Sequence, residues 1–158
     1  MKVNIGNYPE NNEPRKVSVV INEWDSYSAD NTLALIIYPL LVKLKKDKQG
    51  SPNVDDEDVP DELKSTNAPA KENEWDIDDN YFKRWNWVMD EMIFAMKEIS
   101  ECNPTMETFY DWSSVDQEVD FQSQLDNLKV DIEGLELYNK RVQNGCILFG
   151  KYFQGLWS

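Results

Sequence analysis

The period of the apolar positions changes along the chain. Val3 and Ile5 alternate with polar residues, and a second run holds Val17, Val19, Val20 and Ile21. Between them, residues 7–14 are rich in Asn, Pro and Glu, which interrupt regular structure. Two short runs separated by such punctuation predict a β-hairpin within residues 1–22. An isolated hairpin is marginal, so it is expected to pack on the helices that follow.

From residue 28 the period becomes helical. Leu33, Ile36, Ile37, Leu40, Leu41 and Leu44 share one face of a first helix, residues 28–48. Leu35, Tyr38 and Val42 make it apolar on the other side as well, which predicts a central, buried element. Pro39 is expected to kink it near Leu35, and Gly50 to cap its end. A second helix, residues 79–101, carries the stripe Tyr81, Trp85, Val88, Met92, Ala95 and Ile99, capped by Asp78 or Asp79 and stopped by Asn103-Pro104. Residues 104–121 are ambiguous, with a short helix starting at Ser113 or Ser114 as one reading.

The longest stripe runs through residues 122–156. Leu125, Leu128, Ile132, Leu135, Asn139, Val142, Cys146, Phe149, Phe153 and Leu156 keep a 3-4 spacing and predict a third helix, with Gly134 as a place where it could break. Asn139 either sets the register of a helix pair or marks the exit of the stripe to solvent. Gly145 beside Cys146 suggests close approach by a neighbouring helix. The aromatics Tyr81, Phe82, Trp85 and Trp87 read as core rather than as a stacking platform, and Trp157 as docked on the body. The expected fold is mainly α: a single domain, residues 1–158, in which a three- to four-helix bundle carries a small N-terminal β-hairpin and a long acidic loop, residues 51–79.

Charge sharpens this picture. The chain holds 30 acids against 16 bases, a net charge of −14. Residues 55–79 alone contribute 11 acids and 2 bases, whereas residues 1–54 carry 6 acids and 7 bases. The lysines Lys43 to Lys48 at the end of the first helix are expected to pair with the acidic loop. A field of this sign repels phosphate backbones, so direct nucleic-acid binding is not expected, and it attracts basic protein surfaces. The 158 residues include no His, which removes His-based triads, Cys–His pairs and His-containing zinc sites. Cys102 and Cys146 stand in no metal-binding spacing and read as reduced thiols. Residues 1–6 contain no apolar stretch of a secretory signal, and no apolar run approaches a membrane span, so no membrane partner is expected.

Two groups of residues are candidates for binding. Asp55, Asp56, Glu57 and Asp58, with Glu74 and Asp76, form the acidic loop. Oxygen ligands of this kind suit a divalent cation, but adjacent residues of an extended chain point in opposite directions. The Asp76-x-Asp78-x-Asn80 spacing starts like a calcium loop but has Tyr81 where glycine is required. The second group is Trp24, Asp25 and Asp30, which read as helix caps or as a binding surface. Asp90, Glu91 and Glu98 with Glu133 or Glu136 lack the histidines of a bridged metal centre. No catalytic residue and no cofactor is assigned.

Several segments are similar to a family of tailed-bacteriophage proteins of unknown function, found in T4-like and marine phages. The similarity lies in residues 24–41, residues 50–60, the Phe82-Lys83-Arg84-Trp85-x-Trp87 stretch through Ile93, and residues 141–152. In that family a histidine often stands where this chain has Asn31, so no histidine-dependent role carries over. The resemblance implies a phage protein acting in the cytoplasm of an infected bacterial host. With the charge, it leads to a non-enzymatic accessory protein that binds a host protein with a basic surface, in its sharper form as a nucleic-acid mimic or inhibitor. A structural or assembly protein that forms homo-oligomers is the first alternative, and a carboxylate-metal or nucleotide-binding protein the second.

Overall fold

The computed structural model describes residues 1–10, 13–113, 115 and 118–157. It is mainly helical, with a two-stranded antiparallel hairpin at the N-terminus. Strands β1 (Lys2–Ile5) and β2 (Val17–Val20) pair in the register Val3↔Val19 and Ile5↔Val17. All eight strand residues are exposed. The expected packing of the hairpin on the helices is therefore not seen. Its tether is the N-terminal ammonium, 2.6 Å from the Asp25 carboxylate on the short helix α1 (Glu23–Tyr27).

Helix α2 (Ala29–Asp47) continues through Pro39 without interruption. It is not the central element that its apolar circumference predicts. Only Ala34 and Leu41 are fully covered, while Leu33, Leu35, Ile36, Leu40 and Val42 are exposed. Both α2 and α5 (Ile132–Lys151) pack instead on α3 (Tyr81–Ser100), which holds the core. Trp85, Val88, Met89, Met92 and Ala95 of α3 are completely buried. The a/d-like stripe of α3, widened by its methionines, is what lets it serve two partners at once. Asn31 of α2 ties the end of α3 down: its side-chain amide donates to the carbonyls of Ile99 at 2.9 Å and Ser100 at 3.2 Å. Both are carbonyls of the last helical turn, where the regular helical donors run out; that of Ile99 also accepts from the Cys102 N–H at 3.2 Å. Cys102 and Asn103 then turn the chain with φ of 60° and 56°.

The expected helix over 122–156 is divided. Helix α4 (Phe121–Asn127) is capped by Asp120, whose carboxylate accepts from the backbone of Gln122 and Ser123. The short helix read into residues 104–121 does not start at Ser113, and Ser114 lies outside the described residues; that stretch holds a 3₁₀ turn, Pro104–Phe109, instead. Strand β4 (Lys129–Val130) pairs with β3 (Tyr110–Asp111), and the Asp131 N–H donates to the Phe109 carbonyl at 2.9 Å. Asp131 then caps α5 by accepting from the Gly134 N–H at 2.9 Å. The break thus lies just ahead of Gly134, set by a capping aspartate that competes with continued helix.

The buried face of α5 is also turned by about one residue from the predicted stripe. Tyr138, Gly145, Leu148 and Tyr152 are buried, and Asn139 is exposed, which is its exit-to-solvent reading. The cause is the close approach at Gly145, where an added Cβ would lie 2.5 Å from the Ala95 Cβ. Gly50 does not cap α2, which ends at Lys48. It leaves room for Trp157, whose ring a Cβ on Gly50 would meet at 3.0 Å. Trp157 thus docks on one side while remaining half exposed.

Two buried tyrosines carry a pH signature. The Tyr138 hydroxyl donates to the buried Glu98 carboxylate at 3.0 Å, which also accepts from the Thr105 hydroxyl at 2.8 Å. Burial, reinforced by Glu98, pushes Tyr138 up to about 12. Burial and the Asp58 carboxylate push Tyr152 up to about 12 as well. Because the unfolded phenol titrates near about 10, this stabilisation is complete below that pH and is lost as the pH rises towards the folded values. Denaturant midpoints of the wild type should fall more steeply across this alkaline window than those of Tyr138→Phe. At neutral pH the variant should be about 1.5–3 kcal/mol less stable, the range for a hydrogen bond to a charged group. Parallel slopes for the two proteins would show that Tyr138 is not a source of the alkaline loss.

Candidate interaction site

The first part of the acidic segment after α2 is held on the core, while residues 69–77 stay exposed. Three 3₁₀ turns, Asp56–Asp58, Asp61–Leu63 and Ser65–Asn67, shape it into a strap. Val54 and Val59 anchor the strap in the core beside Trp85 and Leu148. The four consecutive acids then divide by function. The Asp58 carboxylate faces the core side, where it accepts from the Tyr152 hydroxyl and sits 2.5 Å from Lys151 Nζ. Asp55 meets the same ammonium at 2.8 Å. The two carboxylates, Asp55 first, hold Lys151 well above the usual lysine range. Asp56 accepts from the Ser65 hydroxyl and backbone, which lowers its pKa.

Arg84 is the pin under the strap. Its side chain is 3% exposed, and it grips Asp78 with two nitrogens at 2.8 Å each. That forked contact holds the Asp78 carboxyl below the usual carboxylate range. The Arg84 Nε is buried and has no hydrogen-bond partner; the Asp56 carboxylate stands 4.0 Å away. Bidentate geometry of this kind is what a guanidinium provides and an ammonium does not. The expected pairing of the strap with Lys43 to Lys48 is not what forms. Lys43 pairs with Asp47 and Lys45 with Asp90 on α3, while the strap acids are met by Arg84, Lys64 and Lys151.

Between strap and α3 lies an open pocket of about 630 Å³. Asp55, Asp56, Glu57, Asp76 and Asp78 line it, against the two cations Lys71 and Arg84. Glu57 and Asp76 are exposed there; Asp76 accepts from Asn73 at 2.9 Å. Of the predicted acidic candidates, Asp55, Asp56, Glu57 and Asp76 are thus brought together. Asp58 is turned inward, and Glu74 stays exposed outside the pocket lining. Sequence reasoning missed Arg84, which the Asp78–Arg84 spacing of six residues across a helix start does not advertise. Among the described residues no three Asp, Glu, Cys or His side chains converge on a metal-binding geometry.

The second candidate group lies elsewhere. The Asp25 carboxylate closes the start of α1 by accepting from the Asn22 N–H at 2.6 Å. The N-terminal ammonium and that N–H together lower its pKa. Asp30 is exposed in the first turn of α2, where a negative charge complements the helix dipole. Trp24 is 81% exposed, edge-on to the equally exposed Tyr27 at 6.0 Å between ring centroids. Glu91 and Glu98, weighed in the sequence as metal ligands, have structural partners. Glu91 takes a forked contact from Arg141 at 2.8–3.2 Å, and Glu98 holds Thr105 and Tyr138. No helix among the described residues is long and apolar enough to cross a membrane. Comparison with known proteins found no matching family model, no similar curated protein and no similar solved structure.

Proposed function

We propose that this chain is a non-enzymatic phage accessory protein that acts in the infected host cell by binding a host protein through a basic surface of that partner. The observation that carries this reading is the pocket between strap and α3, where carboxylates from two separate stretches of the strap converge. Its donor set is mixed. The exposed carboxylates Glu57 and Asp76 attract a cation, while the exposed Lys71 on the same lining favours an acceptor. A lysine or arginine side chain presented on a peptide backbone supplies both, through its charge and its own carbonyl. A polyamine or a bare metal ion supplies only the first. The inhibitor form of this reading, in which the chain occupies a nucleic-acid-binding surface, draws its support from the −14 net charge.

The test compares wild type with the double variant Glu57→Gln/Asp76→Asn. Both side chains are exposed and neither is paired with Arg84, so folding should be unchanged. Lysine-containing peptides are titrated against each protein, and host lysate is passed over each as bait. The wild type should retain a basic protein at low salt and release it at high salt, because screening weakens exposed charge contacts. The variant should bind the peptide at least about tenfold more weakly, about 1.4 kcal/mol. Equal binding by both proteins would remove the pocket from the reading.

A further inference from the structure

Exposed apolar side chains occur along the whole chain, and α1 and α2 carry a group of them. On α2, Leu33, Ile36 and Leu40 follow an i, i+3, i+7 spacing and share one face. Leu33 is 55% exposed and Leu40 62%, and on α1 Trp24 and Tyr27 exceed 80%. Next to this stripe, an apolar groove of about 260 Å³ separates α2 from the segment that follows α5. Leu40 and Phe153 line the groove and are both more than half exposed. An exposed apolar stripe that ends at an apolar groove is the kind of surface that marks an interaction site.

Charge decides what can cover it. Residues 1–54 carry a net charge of +1, and residues 55–158 carry −15. A basic partner is drawn to the acidic side, not to this one. Anionic membranes and nucleic acids are repelled by the whole molecule. Of the lysines that end α2, Lys43 and Lys45 are already paired with Asp47 and Asp90. A second copy, however, can approach through the near-neutral face while both acidic sides point away from each other. We propose that this face is the interface of a symmetric pair of chains, with α1 and α2 of each copy covering those of the other. The same patch on both subunits is what a twofold interface requires. This inference does not depend on the acidic pocket and can hold if that reading fails.

The two readings respond to salt with opposite signs. Raising salt screens the repulsion between two −14 molecules and should tighten the pair. Binding of a basic peptide in the pocket should weaken under the same change. Light scattering and sedimentation of the full chain across micromolar concentrations should give twice the 18.5 kDa chain mass. Leu33→Glu/Leu40→Glu should return the mass to one chain, or raise the dissociation constant at least about tenfold, the effect of losing central apolar anchors. Its circular dichroism should match wild type, and its melting should lose the concentration dependence that pairing gives the wild type. If that variant does not fold, Trp24→Ser/Tyr27→Ser offers the same reading on α1, outside the α3 core. A single-chain mass at every concentration and salt would overturn the proposal. So would an intact pair in a folded variant, or binding of anionic vesicles through these residues without pairing.

Discussion

Asp78→Ala should lower stability by about 3–5 kcal/mol, because it leaves the Arg84 guanidinium buried without its counter-charge. Arg84 is 3% exposed and has two of its nitrogens on that one carboxylate. The loss should appear as a lower denaturant midpoint and as early proteolysis within residues 53–78, the part of the strap that Arg84 holds. Adding Arg84→Met should recover most of it, since an apolar side chain of similar length needs no ion partner. If Asp78→Ala alone is neutral, the pin is not what secures the strap. The pH dependence has a defined direction. The folded carboxyl lies below its unfolded value of about 3.9. Its stabilisation is therefore fully present above that value and disappears as the pH falls through the folded one. The variant should lack this portion of the acid-induced loss.

Gly145→Leu should be as damaging by a steric route. A Cβ at this position collides with the Glu91 carbonyl oxygen and lies 2.5 Å from the Ala95 Cβ. Backbone cannot turn aside as a flexible side chain can, so α5 must lift from α3. Overpacking of this kind costs about 1–3 kcal/mol even for small additions, and four extra carbons on a backbone contact place the variant at the upper end or beyond. Gly150 is the matched control. Nothing lies within 4 Å of an added Cβ there. Gly150→Ala should therefore gain up to about 1 kcal/mol from helix propensity alone. The contrast between the two glycines, read from thermal unfolding, separates the contact from the propensity. Equal effects at both positions would contradict the close approach of α3 and α5.

Helix α3 was the most legible part of the chain, because the spacing from Trp85 to Ala95 is both long and buried. Gly145 also told its own story, as a glycine costs helix stability unless a neighbour needs the space. The apolar circumference of α2 misled. A side chain that faces water in one copy and a side chain that faces core have the same hydropathy, so periodicity alone could not distinguish Leu40 from Leu41. The helix over 122–156 looked continuous because Asp131 interrupts the stripe without adding a proline or shifting its phase. Its capping role depends on the Phe109 carbonyl and on strand β3, contacts made from 22 residues earlier in the chain. The acidic site was half visible. The clustering of carboxylates was plain in the sequence, but which of them turn inward depends on Arg84, Lys151 and Tyr152, which reach the strap from elsewhere in the chain.

The placement of α3 between two covers also sets the order in which the molecule can be completed during synthesis. The first cover, α2, precedes α3 in the chain, but the second ends at Lys151 and the strap is latched by Tyr152. Translation of residues 101–152 takes roughly 3–10 s at about 5–20 residues per second. Throughout that interval the nascent chain carries the side of α3 that meets α5, with Glu91, Ala95 and Glu98, open to water and the strap unfastened. The ribosome-bound intermediate is thus the form most exposed to chaperones and to aggregation, and the latch that ends this exposure is among the last contacts to form.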